Sequence, residues 1–252
     1  MRFEQSDPMA RDRTQSGNGK LLSVLGSKNG IRCLFCFPAA IHPGQLLLTT
    51  EHFYLLAPRG QIRTGFLTIM THVCQDEPVR LRCMNDIEPA WLDELRLLKS
   101  IVDEFYVDVY RADPVFYEHG RGGGHESRFP DEDYWFHPHI CALPGPVDIH
   151  AVLSENYQCA EVLGHSDVCR KIGRRPYIYV HAPRDTSLNS EYVYYDPDSS
   201  SRSIGKLRLK KLLAESFGST TGWDWRTHPG EESLRHLIAD FNEWYGSKYQ
   251  RV

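Results

Sequence analysis

The chain has 252 residues with a formal net charge of −4, long enough for one large domain or a domain with an appendage. Its charge excludes the basic footprint of a protein that binds extended duplex nucleic acid, although a short phosphorylated ligand needs only a local positive pocket. No apolar run approaches the roughly 20 residues of a membrane span.

The first part of the chain, residues 1–30, is rich in Ser, Gly, Asn and Arg, and it predicts a flexible tail. Its first 20 residues lack the apolar core of a signal peptide. Seven cysteines are present, an odd number that includes the pair Cys33-x-x-Cys36. In a chain without a secretion signal we expect free thiols and a metal site rather than a disulfide framework. These features predict a cytoplasmic protein with no membrane partner.

The first half of the chain predicts three strands and one long helix. The strands are expected at 46–50, 53–58 and 66–72, and the last of them ends at His72. Apolar residues then recur every three and four positions over 90–110, which indicates an amphipathic helix. Glu94 and Lys99 fall outside its apolar face. A short strand at 115–118 is expected to run into a flexible, glycine-rich loop at 119–127.

The second half carries weaker signals. We expect a helix at 161–171, a hairpin of strands 177–181 and 191–195, and two further helices at 206–217 and 231–245. Strands that pair with their neighbours in sequence, together with packed helices, indicate an α+β fold.

The segment 134–144 predicts one central strand. Because side chains alternate along a strand, His137, His139 and Cys141 should share one face, with Ile140 and Ala142 on the other. Three such side chains on one face are typical of a strand that holds a metal or a nucleophile. An exposed edge strand without any ligand is the alternative.

A structural zinc site needs four nitrogen or sulfur ligands, and a Cys-x-x-Cys turn supplies two of them. Cys33 and Cys36 are therefore candidate ligands, and His72 and His137 are the best candidates for the other two. The alternatives are that the cysteines are buried thiols and that His72 is a capping or surface histidine.

The order of these motifs resembles the histidine-triad (HIT) superfamily. The motifs of the chain are, in order, Cys33-x-x-Cys36, a strand ending in His72, an amphipathic helix, the segment 116–120 and His137-Pro138-His139-Ile140-Cys141. The chain is most similar to the zinc-containing branches of this superfamily. These branches include the galactose-1-phosphate uridylyltransferases and the CwfJ-type domains of splicing-associated proteins. The resemblance covers about residues 31–146.

The resemblance implies a domain organisation. After the flexible tail at 1–30, residues 31–146 would form a HIT-like catalytic domain, and 147–252 a C-terminal αβ extension packed on it. The implied fold is a twisted, mainly antiparallel sheet with the amphipathic helix packed against it. Members of the family often form dimers, so the resemblance also implies a homodimer as one expectation for this chain.

The resemblance also implies residue roles. A structural Zn²⁺ would be bound by the four candidate ligands named above, and His139 would be the nucleophile. Its expected reaction is attack on the α-phosphorus of a nucleoside phosphate, dinucleotide or nucleotide sugar, giving a covalent nucleotidyl-histidine that is then hydrolysed or transferred. Expected substrate contacts are Phe35, Arg121, Gly122 and Ser127. A plain surface loop is the alternative for the glycine-rich segment that contains Arg121 and Gly122.

Cys141 departs from the family pattern, which has a histidine or glutamine at this position. A thiol is a poor hydrogen-bond donor to a phosphoryl oxygen. Catalysis could survive with Cys141 in the site and another residue, such as His119, His125 or Ser127, as the donor. The protein could instead be a biosynthetic enzyme for an unusual phosphorylated metabolite, or a non-catalytic, zinc-stabilised module that binds nucleotides or RNA. Cys141 could also replace one histidine as a zinc ligand.

Overall fold

The computed structural model describes residues 35, 44–73, 81, 83–121, 137–145, 149–155, 157–182, 191–197, 206–219, 223–224 and 227–250. The predicted tail at 1–30 lies outside these residues. Five of the candidate site residues also lie outside them, namely Cys33, Cys36, Gly122, His125 and Ser127.

Eight strands form one antiparallel sheet in the order β1-β2-β3-β5-β4-β7-β8-β6. The strands are β1 (Leu46–Thr49), β2 (Phe53–Leu56), β3 (Leu67–Thr71), β4 (Pro114–Gly120), β5 (His139–Pro144), β6 (Gln158–Val162), β7 (Tyr177–His181) and β8 (Glu191–Tyr195). With the helices that flank this sheet, the structure confirms the predicted α+β class.

In the part of the chain that the structure describes, five α-helices accompany the sheet: α1 (Leu92–Phe105), α2 (Ile149–Ser154), α3 (His165–Ile172), α4 (Lys206–Ser216) and α5 (Glu231–Tyr249). The predicted helix at 90–110 is confirmed, with a 3₁₀ turn at Pro89–Trp91 before α1 and a π-helical segment at Tyr106–Tyr110 after it. Within the described residues, no helix combines the length and apolar character that crossing a bilayer requires.

The two faces of the sheet carry separate apolar cores. Ile140 and Ala142 of β5 pack beneath α1 and α5, in a cluster that includes Leu98 and Val102 of α1. Cys141 and Leu143 point the other way, into a cluster with α2 and α4. The alternation predicted for the central strand therefore holds along β5, and His139 shares the face of Cys141.

The predicted end of β4 is wrong, because the strand continues through His119 and Gly120 instead of entering a loop at 119. β7 pairs along its whole length, with Gly120 opposite Tyr177. A Cβ atom at Gly120 would lie 2.0 Å from Cζ of the Tyr177 ring. Gly120, which suggested a loop, is instead required because any larger residue there would collide with the Tyr177 ring.

The predicted helix at 161–171 is wrong at its start. Glu161 and Val162 belong to β6, where Glu161 pairs with Tyr192 of β8, and α3 begins only at His165. Gly164, with φ of 88°, turns the chain between the two elements. Pairing with β8 overrides the local helical pattern, as tertiary context often does.

The C-terminal part of the chain continues the same sheet. β7 pairs directly with β4, and β8 and β6 follow it. On the α1 face, α5 places the rings of Phe241 and Trp244 at 5.0 and 5.4 Å from the ring of Phe105. These contacts join the last helix to the core under the first helix.

Candidate functional site

His139 lies at the start of β5, in the middle of the sheet. Its backbone partner on β3 is Met70, and on the other side Tyr117 of β4 pairs with Cys141. Paired residues point to the same face, and His119 lies two residues beyond Tyr117, so it shares that face too. The structure thus brings the three predicted catalytic residues, His119, His139 and Cys141, to one side of the sheet.

A backbone contact fixes the protonation pattern of His139. Its Nδ1 atom lies 2.7 Å from the carbonyl oxygen of His137. A carbonyl oxygen only accepts, so Nδ1 carries the hydrogen, and in the neutral ring the lone pair lies on Nε2. This is the form of imidazole that can attack an electrophile through Nε2.

The two predicted histidine ligands lie near each other at the ends of β3 and β5. The ring centroids of His72 and His137 are 5.3 and 6.5 Å from that of Tyr54 in β2. Phe35 joins this cluster, with its ring centroid 5.9 Å from that of His137 and its carbonyl oxygen 2.8 Å from the Tyr54 hydroxyl, which donates to it. Phe35, predicted as a substrate contact, therefore packs beside the candidate zinc ligands.

Each of these histidines also donates to a backbone carbonyl. Nε2 of His72 lies 3.1 Å from the oxygen of Thr50, and Nε2 of His137 donates to the oxygen of Thr71. Both neutral rings therefore carry their lone pair on Nδ1. Burial lowers the pKa of His72, against the opposing effect of nearby carbonyl groups, so its neutral form is favoured. Histidines that bind metals usually make such a second hydrogen bond.

A buried glutamate supports the turn that holds His72. Glu94 of α1, only 3% exposed, accepts hydrogen bonds from the Thr50 hydroxyl and from the His52 backbone N–H, the latter at 2.9 Å. Its second oxygen lies 2.8 Å from Nδ1 of His52. Burial opposes its ionisation, but these hydrogen bonds outweigh burial and lower the pKa of Glu94. The prediction that Glu94 lies outside the packed face of the helix is wrong, because its carboxylate caps the β1–β2 turn.

Cys141 is deeper than His139 on the same face, with 5% exposure. Burial first, and the neighbouring Cys141 thiol second, raise the pKa of the Tyr117 hydroxyl far above its usual range. Four residues of extended chain, about 13 Å, separate Cys141 from His137. That separation places Cys141 away from the histidine pair, so the geometry does not favour Cys141 as a replacement zinc ligand.

Arg121 lies on the opposite face from His139. Its guanidinium donates to the carboxylate of Asp86, and its other ionisable neighbours include Cys83, Cys169 and Tyr177. Tyr177 is on the α1 face of β7. The structure therefore does not bring Arg121 to the predicted phosphate site, and it leaves Gly122 and Ser127 outside the described residues.

Among the described residues, no group of three or more His, Cys, Asp or Glu side chains is placed to hold a metal ion. The predicted ligands Cys33 and Cys36 lie outside the described residues. The fold and the site define an α+β protein whose described strands form an antiparallel sheet, with His139 at the start of a central strand and His137 just before it. No protein-family model matches the chain, and no curated protein matches it in sequence.

Proposed function

We propose that the protein is a nucleotidyl hydrolase or transferase that acts on a nucleoside phosphate, dinucleotide or nucleotide sugar through His139. The observation that carries this proposal is the 2.7 Å contact between Nδ1 of His139 and the carbonyl oxygen of His137. It orients the ring and places the lone pair on Nε2 without the help of a separate base.

In the proposed first step, Nε2 of His139 attacks the α-phosphorus of the nucleotide. A phosphorus–nitrogen bond forms while the bond from phosphorus to the leaving oxygen breaks, and the leaving group departs with that electron pair. The nucleotidyl-imidazole is cationic and reactive. A water molecule or a second phosphate then attacks phosphorus, and His139 leaves as neutral imidazole with its lone pair restored.

A structural zinc ion fits the histidine pair. His72 and His137 each donate through Nε2 to a carbonyl, which directs the Nδ1 lone pairs to a ligand role. Phe35, which packs against His137, directly precedes Cys36 in sequence and follows Cys33 by two positions. Two thiolates and two imidazoles form a common structural zinc donor set. The metal would join the ends of β3 and β5 beside His139 and hold that strand in place.

His119 is the proposed donor to the phosphoryl oxygens, in place of the family's third motif residue. It shares the sheet face of His139, and an imidazole N–H is a better donor than the thiol of Cys141. A non-catalytic module that binds a nucleotide or RNA is the second candidate, favoured by the burial of Cys141 at the position where the family has a stronger donor.

The test of the nucleophile is intact-mass spectrometry of protein quenched after mixing with nucleoside di- and triphosphates, dinucleotides and nucleotide sugars. We expect an acid-labile nucleoside-monophosphate adduct in the wild type and in His236→Ala, an exposed control on α5. His139→Ala should give none. Binding of a nucleotide without adduct or product would favour the non-catalytic module, and an adduct that persists in His139→Ala would exclude His139 as the nucleophile.

The test of the zinc site is elemental analysis of the purified protein. We expect about one zinc per chain in the wild type and in His139→Ala, and loss of zinc in His72→Ala and His137→Ala. Equal zinc content in all four proteins would show that the histidine pair does not bind the metal.

A further inference from the structure

A second group of reactive side chains lies on the opposite face of the sheet from His139. Lys99 of α1 reaches the end of β7, where its Nζ atom lies 2.6 Å from Nδ1 of His181. On the far side of the same ring, Nε2 of His181 lies 3.8 Å from a carboxylate oxygen of Glu191, at the start of β8. An amine, an imidazole and a carboxylate therefore lie next to one another, in that order.

Aromatic rings surround the amine. Nζ of Lys99 lies 4.8 Å from the ring centroid of Phe116 and 5.8 Å from that of Tyr179. Burial lowers the pKa of Lys99 to about 8, while the Glu191 carboxylate partly opposes that change. Burial, then the charge of Lys99, and then His165 of α3 lower the pKa of His181 to about 3, so this ring is neutral at physiological pH and accepts the hydrogen bond of the ammonium. The centroid of the His165 ring lies 3.8 Å from that of Tyr179, and the same ring pairs with Glu118.

Two further polar groups are buried beside these side chains, namely the Tyr179 hydroxyl and one carboxylate oxygen of Glu191, and they face each other. Neither atom makes a hydrogen bond of good geometry among the described residues, so the Tyr179 hydroxyl is able to donate to a water molecule or a small ligand instead. Burial raises the pKa of Tyr179 far above its usual range, which keeps its hydroxyl protonated and able to donate.

We propose that Lys99, His181 and Glu191 form a second reactive site, in which the Lys99 amine captures a small aldehyde as an imine. This site is independent of the nucleotidyl chemistry proposed for His139. The side chains of His181 and Glu191 are 21% and 23% exposed, which gives a small molecule access to the group.

The chemistry requires no co-reactant. The neutral amine of Lys99 attacks the carbonyl carbon, and the carbon–oxygen π bond opens to give a carbinolamine after proton transfer from nitrogen to oxygen. The Tyr179 hydroxyl donates a hydrogen bond to that oxygen. Loss of one water molecule then forms the carbon–nitrogen double bond, so that amine and aldehyde give imine and water. His181 orients the amine through its Nδ1 lone pair, and the Glu191 carboxylate lies 3.8 Å from the other nitrogen of that ring.

The arrangement predicts unusual reactivity at neutral pH. About one amine in ten is uncharged at one pH unit below its pKa, against fewer than about one in a thousand for an ordinary lysine at pH 7. A lysine that only packs over aromatic rings as a cation would not gain this neutral fraction. A reactive Lys99 and a Lys99 that only packs as a cation therefore differ in the rate of imine formation and in the pH dependence of that rate.

The experiment is reductive trapping of the wild-type protein with glycolaldehyde and cyanoborohydride between pH 6 and 10, with each modified lysine located by peptide mass spectrometry. Lys211, half exposed on α4, and Lys248 on α5 are internal controls, so this comparison needs no substitution. We expect Lys99 to be modified at least about tenfold faster than Lys211 at pH 7, with a midpoint near pH 8. A Lys99 rate no higher than that of Lys211, or a midpoint near pH 10, would overturn the proposal.

A variant separates the role of the carboxylate. Glu191→Gln removes the charge that raises the pKa of Lys99, so we expect its midpoint to move to lower pH and its labelling at pH 7 to increase. Lys99→Arg should remove the modification at this position alone. An unchanged midpoint in a folded Glu191→Gln protein would overturn the role assigned to Glu191.

Discussion

Replacement of Gly120 by alanine tests how β4 is held against β7. The added carbon would lie 2.0, 2.4 and 2.5 Å from three atoms of the Tyr177 ring, whereas ordinary contacts between carbon atoms are about 3.5–4.0 Å. The ring must therefore move by about 1.5 Å or the strands must separate. Tyr177 is 1% exposed, and its hydroxyl donates to Glu118 at 2.9 Å, so neither movement is free of cost.

The expected loss of unfolding free energy for Gly120→Ala combines two effects. Overpacking a core costs about 1–3 kcal/mol, and weakening a hydrogen bond to a charged group costs about 1.5–3 kcal/mol. Together they predict a loss of about 2.5–6 kcal/mol, measured by urea denaturation. Gly246 in α5 is the matched control, because its nearest neighbour, a Gln250 side-chain oxygen, would be 3.7 Å from an added Cβ. Gly246→Ala should stabilise the protein by about 0.5–1 kcal/mol.

A double-mutant cycle identifies the cause. In a Tyr177→Ala background the ring is absent, so Gly120→Ala should cost less than about 1 kcal/mol beyond the loss already caused by Tyr177→Ala. An equal cost in both backgrounds, or a loss below about 1 kcal/mol in the wild type, would refute the reasoning from the close contact.

Three further predictions concern buried polar groups. Glu94→Gln should lower the unfolding free energy by about 1–3 kcal/mol in urea, because it removes the charged acceptor of the β1–β2 turn, whereas exposed Glu88→Gln should change it by less than about 0.5 kcal/mol. Tyr106→Phe should cost about 1–3 kcal/mol in the same assay, because it leaves two buried carbonyl oxygens, at 2.6 and 3.0 Å, without their donor. His181 has a lowered folded pKa of about 3, so the unfolded chain binds more protons between about pH 3 and 6.5 and stability should fall on acidification through that window. His181→Gln should reduce this slope in denaturation curves taken at several pH values, by at most about 1.4 kcal/mol per pH unit, and an unchanged slope would count against a buried neutral ring.

The sequence predicted the architecture best where a periodic pattern and a buried face coincide. β5 alternates between two cores, and α1 has one continuous apolar stripe, so both elements were accessible from residue spacing. Gly120 and Glu161 were misassigned because their conformations depend on β7 and β8, strands distant in sequence. Local composition carries no information about such pairing.

The residues of the two proposed sites also differ in how far local sequence pattern could reveal them. His137 and His139 stand out because two histidines spaced two apart fall within one predicted strand. In the structure β5 begins only at His139, and His137 lies two residues before it. Lys99 and His181 are 82 residues apart, and helix periodicity placed Lys99 outside the packed face. A long side chain can leave that face through its flexible stem and still bring its charged end to the sheet, which spacing alone does not reveal.

β4 presents its odd-numbered side chains, Tyr117 and His119, to the His139 face, and its even-numbered ones, Phe116 and Glu118, to the face of Lys99. The alternation of side chains along β4 therefore determines which residues reach each of the two faces. Insertion or deletion of one residue within it would exchange the two sets and disrupt the arrangements of both His139 and Lys99 at once. Substitutions can alter either face separately, so one arrangement can be changed without the other by point mutation but not by a change in strand length.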